Sequence, residues 1–182
     1  TNLIIELEKI SDASKSRALW LSINLLTAFI AAATINLFQT TIDKFVYLAV
    51  LMPIVASMGG VAATQTLTIV IRGLSLEQIK SSNLNWLFKR ELIVSILNGI
   101  FLSILISIVT YFWFQELLIS ILICAAIVIN LISSVIAGIF VPIILNKLNQ
   151  DPAIAGSVVV TTVTDVIGFF SFLGLATIFL VN

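Results

Sequence analysis

Charged residues cut this chain into five long uncharged stretches. Runs without Asp, Glu, Lys or Arg cover 18–42, 45–71, 92–115 and 117–146, and a fifth runs from 152 onward, broken only by Asp165. Each exceeds the roughly 20 residues that a helix needs to cross ~30 Å of hydrocarbon. In lipid the backbone must satisfy its own hydrogen bonds, and barrel strands would be about 10 residues of alternating pattern. The pattern therefore predicts an all-α integral membrane protein with five transmembrane helices. The spans fall near 18–38, 45–71, 91–114, 117–145 and 153–181, with 1–17 as an N-terminal segment and 18–182 as one membrane domain.

The stretch LSLEQIKSSNLNWLFKR (74–90) joins the second and third spans. Leu76, Ile79, Leu84, Leu87 and Phe88 recur at loose helical spacing, so it reads either as a helix lying on the membrane surface or as a solvated connector. The basic residues set the orientation. Lys9, Lys15, Arg17, Arg72, Lys80, Lys89, Arg90 and Lys147 fall on one side of the five-span arrangement, and Lys44 alone on the other. The positive-inside rule then puts residues 1–17, the 72–90 loop and the 146–152 turn in the cytoplasm and the C-terminus outside. A mixed-charge segment ahead of a long span does not fit a cleavable signal peptide.

Composition narrows the chemistry. Of the 182 residues 60% are hydrophobic and 10% charged, against about 25% charge in ordinary soluble domains. The formal net charge of zero argues against a nucleic-acid partner, so the lipid bilayer is the expected surrounding. There is no His and one Cys, Cys124, which excludes an internal disulfide and leaves almost no ligands for a soft metal site. Metal chemistry here must use oxygen.

One ionisable group lies deep in a span, and such groups are functional candidates by default. Counted from Ala153, Asp165 sits about 18 Å along the last helix, near the bilayer midplane. Thr161 and Gly168 share its face, with Ser157 and Thr162 close to the same stripe. In the second span, Pro53 and the pair Gly59–Gly60 suggest either a broken helix whose freed carbonyls line a pathway, or a kink with a close-packed small-residue face. Thr64 and Gln65 follow on the next turn. Asn130 in the fourth span reads as interhelical glue or as a ligand, and Glu91 as an interface charge paired with a basic neighbour.

Oxygen ligands and a lone midplane carboxylate suit a hard cation such as Mg²⁺, which dehydrates reluctantly and touches one or two carboxylates. One Asp per chain is thin for a divalent ion. A two-fold axis through the pathway would bring two Asp165 side chains together, which makes a homodimer the expected assembly.

The most specific stretches are NLISSVIAGIFVPIILNKLNQDPAIAGSVVVTTVTDVIGFFSFLGLA and MPIVASMGGVAATQTLTIVIRGLS, supported by WLSINLLTAF and KREL. Together they resemble the membrane domain of the MgtE-type magnesium channels and transporters, over nearly the full length from about Arg17. The resemblance implies a homodimer of five-helix protomers that conducts Mg²⁺ across the cell membrane into the cytoplasm and is not an enzyme. It implies that Asp165 holds hydrated Mg²⁺ in the pore and that Asp151, in DPA, lies near the cytoplasmic mouth. Pore-lining candidates are Gly59, Gly60, Thr64, Gln65, Asn130, Thr161, Thr162 and Gly168. The sequence departs from the family at Val61, where Asn is usual, at Ala63 for Gly, at Gln39 for an acid, and at Ser103 and Ser107 for glycines. Val61 bears on selectivity, so a less selective Mn²⁺ or Co²⁺ transporter is one alternative on this scaffold; a proton-coupled carrier is another. About 17 residues precede the first span where family members commonly carry cytosolic regulatory domains, so the chain is either a cut piece or a short member.

Overall fold

The computed structural model describes residues 10–79 and 83–181, and every element among them is helical. Lys9 and Lys80, and most of the 1–17 segment, lie outside the described residues. The helices are α1 (Ile10–Asn36), α2 (Gln39–Lys44), α3 (Tyr47–Ser75), α4 (Leu84–Phe114), α5 (Leu117–Lys147) and α6 (Pro152–Ala176), with α6 continued by a wider π-helical turn over Thr177–Val181. All but α2 are long and apolar enough to cross a membrane, so the fold is a five-span helical bundle. Several boundaries differ from the charge-delimited runs. α1 takes in Lys15 and Arg17, and α4 starts at Leu84 with Lys89 and Arg90 in its early turns. Charges at a helix end lie beyond the hydrocarbon, so nothing forces the helix to stop where the apolar run does. The spacing of Leu84, Leu87 and Phe88 thus marks the start of α4 itself rather than a separate surface element.

α5 is the central helix and packs against α3, α4 and α6, while α3 also packs on α6 and α1 lies along α6. Leu48, Leu51, Val55, Ile123, Ile127 and Phe172 form the largest buried cluster at the α3–α5–α6 junction. Lipid tails are as apolar as leucine, so burying such side chains does little to drive helices together; close packing and interhelical hydrogen bonds carry the association. Both are present. The Ser95 hydroxyl donates to the Leu131 carbonyl at 3.0 Å and Ser107 to the Ser120 carbonyl at 2.8 Å, tying α4 to α5. At Gly138 of α5 an added Cβ would lie 2.7 Å from Thr66 Cβ and 2.9 Å from the Ala63 carbonyl oxygen, so α3 and α5 touch backbone to backbone.

Pro53 and the Gly59–Gly60 pair lie inside a continuous α3. The helix is unbroken there, so of the two sequence readings the small-residue face describes it. Asp151 occupies the N-cap of α6, where its Oδ1 accepts from the Ala153 N–H at 2.8 Å, and Pro152 fills the first helical position, which needs no donor.

Candidate ion pathway

α3 and α6 run side by side, and a shallow groove of ≈ 440 Å³ opens along their outer face. Its walls are Ala56, Ser57, Gly60, Val61, Thr64 and Gln65 from α3, and Thr161 and Asp165 from α6. The spacing of Ser57, Gly60, Val61 and Thr64 is that of one helical face. Asp165 is partly exposed on this face, and its carboxylate takes no hydrogen bond or ion pair from any described residue.

The two threonine hydroxyls beside it are used alike. Thr161 donates to the Ser157 carbonyl at 2.7 Å and Thr64 to the Gly60 carbonyl at 2.8 Å. Each proton is used on the residue's own helix, four positions back, which leaves the hydroxyl's acceptor lone pairs for whatever enters the groove. The carboxylate and two hydroxyl oxygens, with the Gln65 amide on the same wall, make a surface that suits a cation or a cation's hydration water. Thr161 also borders a second hollow between α1 and α6, lined by Arg17, Trp20, Asn24 and Ser157 among others.

Of the sequence candidates, the fold brings Gly60, Thr64, Gln65, Thr161 and Asp165 together on this groove. Thr162 lies beside it, half-buried, with its hydroxyl donated to the Val158 carbonyl at 2.7 Å. Asp151 is at the far end of α6, about 21 Å away at 1.5 Å per residue. Asn130, Gly59 and Gly168 are placed elsewhere, behind the groove. Asn130 is fully buried, and its Nδ2 donates to the Val55 carbonyl of α3 at 2.8 Å. A Cβ at Gly59 would run into that same amide, and a Cβ at Gly168 would lie 2.7 Å from Nδ2. Ser134 adds a 2.8 Å hydrogen bond from its hydroxyl to the Gly59 carbonyl. The amide therefore sits in a slot made by two glycines and joins α5 to both α3 and α6.

The sequence reading did not single out Ser57 and Ala56, and it met Val61 only as a family departure. Their recurrence with Gly60 and Thr64 on one helical face was the available signal. Glu91 is also placed inward: it is buried in a cavity of ≈ 340 Å³ between α3, α4 and α5, together with Gln65, Ser95 and Asn98, and its Oε1 lies 3.6 Å from Arg90 Nη1. Gln65 thus borders both the groove and this cavity.

The comparisons with known proteins agree on one family. The family model described as MgtE, divalent cation transporter, matches residues 52–175. A magnesium transporter MgtE from Bacillus subtilis is 36% identical over 168 residues, which span 92% of this chain and 37% of that protein. Counterparts from Enterococcus faecalis and Thermus thermophilus are 26% and 27% identical, over 97% and 91% of this chain and 40% and 36% of their own lengths. The chain thus spans well under half the length of these relatives. With five apolar membrane-length helices and a family match over most of its residues, it is a multi-pass membrane protein and belongs to the MgtE family of divalent cation transporters.

Proposed function

We propose that this chain forms the ion pathway of a Mg²⁺ transporter that works as a two-fold homodimer and admits the ion to the cytoplasm, with Asp165 as the central cation site. The observation that carries the reading is a mid-helix carboxylate with no hydrogen-bond or ion-pair partner among the described residues, in an open groove where the Thr64 and Thr161 hydroxyls keep their acceptor lone pairs free. A charged group in that position is expensive in lipid, and a second copy laid over the groove would remove it from the acyl chains. It would also bring in a second carboxylate. Two nearby carboxylates repel unless a cation lies between them, so the pair favours occupancy by a divalent ion.

The shape of the groove suits a hydrated ion. The groove is shallow and open on its outer side, so its walls leave room for an ion that keeps its waters. Mg²⁺ keeps several of its waters, so Asp165 and the Thr64 and Thr161 oxygens need only accept hydrogen bonds from them. At an effective dielectric near 20 each carboxylate contributes several kcal/mol to holding the ion. Asp151, at the mouth-side end of α6, adds a further negative charge on the approach. The names of the relatives supply the identity of the ion, and the family description the wider class of divalent cations.

The test is ²⁸Mg or fluorescent-indicator uptake into liposomes by the wild-type chain and by Asp165→Asn, which keeps the shape and removes the charge. Uptake should fall by orders of magnitude in a variant that still folds and assembles, and Asp165→Glu should retain some flux with altered ion ratios. Undiminished Mg²⁺ uptake by a folded Asp165→Asn variant would refute the assignment. A less selective divalent transporter is the second reading, favoured by Val61, which is 56% exposed on the groove wall and offers no hydrogen bond to the ion's waters. Comparable uptake of Mn²⁺ or Co²⁺ decides for it. Flux driven by a pH gradient would instead assign Asp165 to proton shuttling.

A further inference from the structure

α3 and α4 touch little, and a pocket of ≈ 360 Å³ lies among the last turns of α3, the first turns of α4 and the connector residues Gln78, Ile79 and Asn83. Arg72 enters its lining from α3 and Arg90 from α4, together with the apolar Ile69 and Leu87. Trp86 forms part of the rim; it is 65% exposed, and Arg90 Cζ lies 5.8 Å from its ring centroid. The one ion pair among the described residues joins Arg90 to Glu91 at 3.6 Å, with the arginine side chain 54% exposed and the glutamate 7%. The acid is thus on the inner side and steadies Arg90, while Arg72 has no ion-pair partner among the described residues. Among the described residues the only charged groups lining the pocket are these two guanidinium groups, so its wall is net positive.

We propose that this pocket binds the phosphate of an anionic phospholipid, with Arg72 and Arg90 as the two ligating side chains. The planar guanidinium fork matches phosphate oxygens, and two arginines from different helices line one small pocket. The indole marks the level of the headgroups, where amphipathic aromatics collect. Basic pockets between transmembrane helices are a recurrent way of holding such headgroups. The flank of α4 below the pocket supplies the rest of the lipid's needs, since Ile93 and Leu97 are 58% and 64% exposed and offer an apolar track for an acyl chain. A bound lipid would fill the gap between α3 and α4 and link the groove-bearing helix to the bilayer's charge.

Native mass spectrometry of the chain released from nanodiscs of mixed phosphatidylglycerol and phosphatidylcholine tests this. The wild-type chain should retain phosphatidylglycerol in preference to phosphatidylcholine by roughly tenfold or more, as two basic side chains imply. Arg72→Gln combined with Arg90→Gln should bring the two lipids to parity. The charge-matched control, Arg17→Gln with Lys147→Gln, removes two cations elsewhere and should leave the preference in place. An unchanged preference in the Arg72/Arg90 variant overturns the proposal, and so does an equal loss in the control, which would mean bulk charge and not this site. If the double variant does not fold, each single substitution should still lower retention severalfold, and no loss in either rejects the site. A thermal-stability arm separates the sources of phosphate. Stabilisation by short-chain phosphatidylglycerol but not by millimolar inorganic phosphate is expected, and equal stabilisation by both overturns the lipid assignment.

Discussion

Replacing Gly168 with alanine is a small change at a point with no room. The new Cβ would stand 2.7 Å from Asn130 Nδ2, 3.2 Å from its Cγ and 3.3 Å from Val55 Cγ1. A side-chain end can usually swing aside, but this one cannot. Gly59 closes the other side of the slot, and the amide is bonded to the Val55 carbonyl at 2.8 Å. Forcing it away breaks that bond, worth about 1 kcal/mol in a membrane interior, and overpacks the junction, typically ~1–3 kcal/mol. The expected loss is roughly 2–4 kcal/mol, partly offset by alanine's better helix propensity, which favours it over glycine by up to about 1 kcal/mol. Asn130→Ala alone should also destabilise, by about 1–3 kcal/mol from the lost bond and the space left behind. In that background, however, the Gly168→Ala methyl enters the vacated slot and should be neutral or stabilising. The double-mutant cycle therefore predicts a coupling of about 2–3 kcal/mol, at the upper end of what contacting residues show. Urea or SDS unfolding followed by tryptophan fluorescence, on all four proteins under one set of conditions, reads it. Equal costs of Gly168→Ala in both backgrounds would remove the steric reasoning. Changed ion ratios in Asn130→Ala would move that residue from the packing interface to the pathway.

Two further substitutions separate roles that one residue combines. Asp151→Ser keeps an N-cap acceptor for Ala153 and removes the charge, so stability should hold, whereas Asp151→Ala should lose about 1 kcal/mol; Mg²⁺ uptake reduced in both variants locates a cation on the approach, and uptake unchanged in both leaves Asp151 as a cap alone. Val61→Asn places an amide on the groove wall and should raise Mg²⁺ uptake relative to Mn²⁺ and Co²⁺ in competition assays; unaltered ratios would mean that position 61 does not face the ion.

The five spans were legible because membrane insertion is a length-and-charge problem, and runs such as 117–146 state their answer outright. The ends of helices were not, since Lys15, Lys89 and Arg90 are compatible with helix as long as they lie outside hydrocarbon. Asp165 was legible as the odd group in an apolar run, and Thr161 and Thr64 followed from helical spacing. What spacing could not give was which side of each helix faces a neighbour. Gly59 and Gly60 are adjacent in sequence, yet one abuts the Asn130 amide and the other borders the groove with nothing within 4 Å of an added Cβ. That division depends on where α5 lies, a tertiary fact. Glu91 was read as an interface charge from its basic neighbours, and its partner is indeed Arg90, but its burial beside Gln65 and Asn98 depends on the cavity left between α3, α4 and α5.

The slot behind the groove has a consequence for how such a protein can change. α3 and α6 each carry two jobs on two different sides: Val55, Gly59 and Gly168 meet the buried amide, while Ser57, Val61, Thr64, Thr161 and Asp165 face outward. The outward set makes few demands on the bundle, so substitutions there should leave the fold standing. The inward set has no such latitude. A sequence library randomised at the outward positions should yield mostly intact bundles, and the same library at the inward ones mostly wreckage.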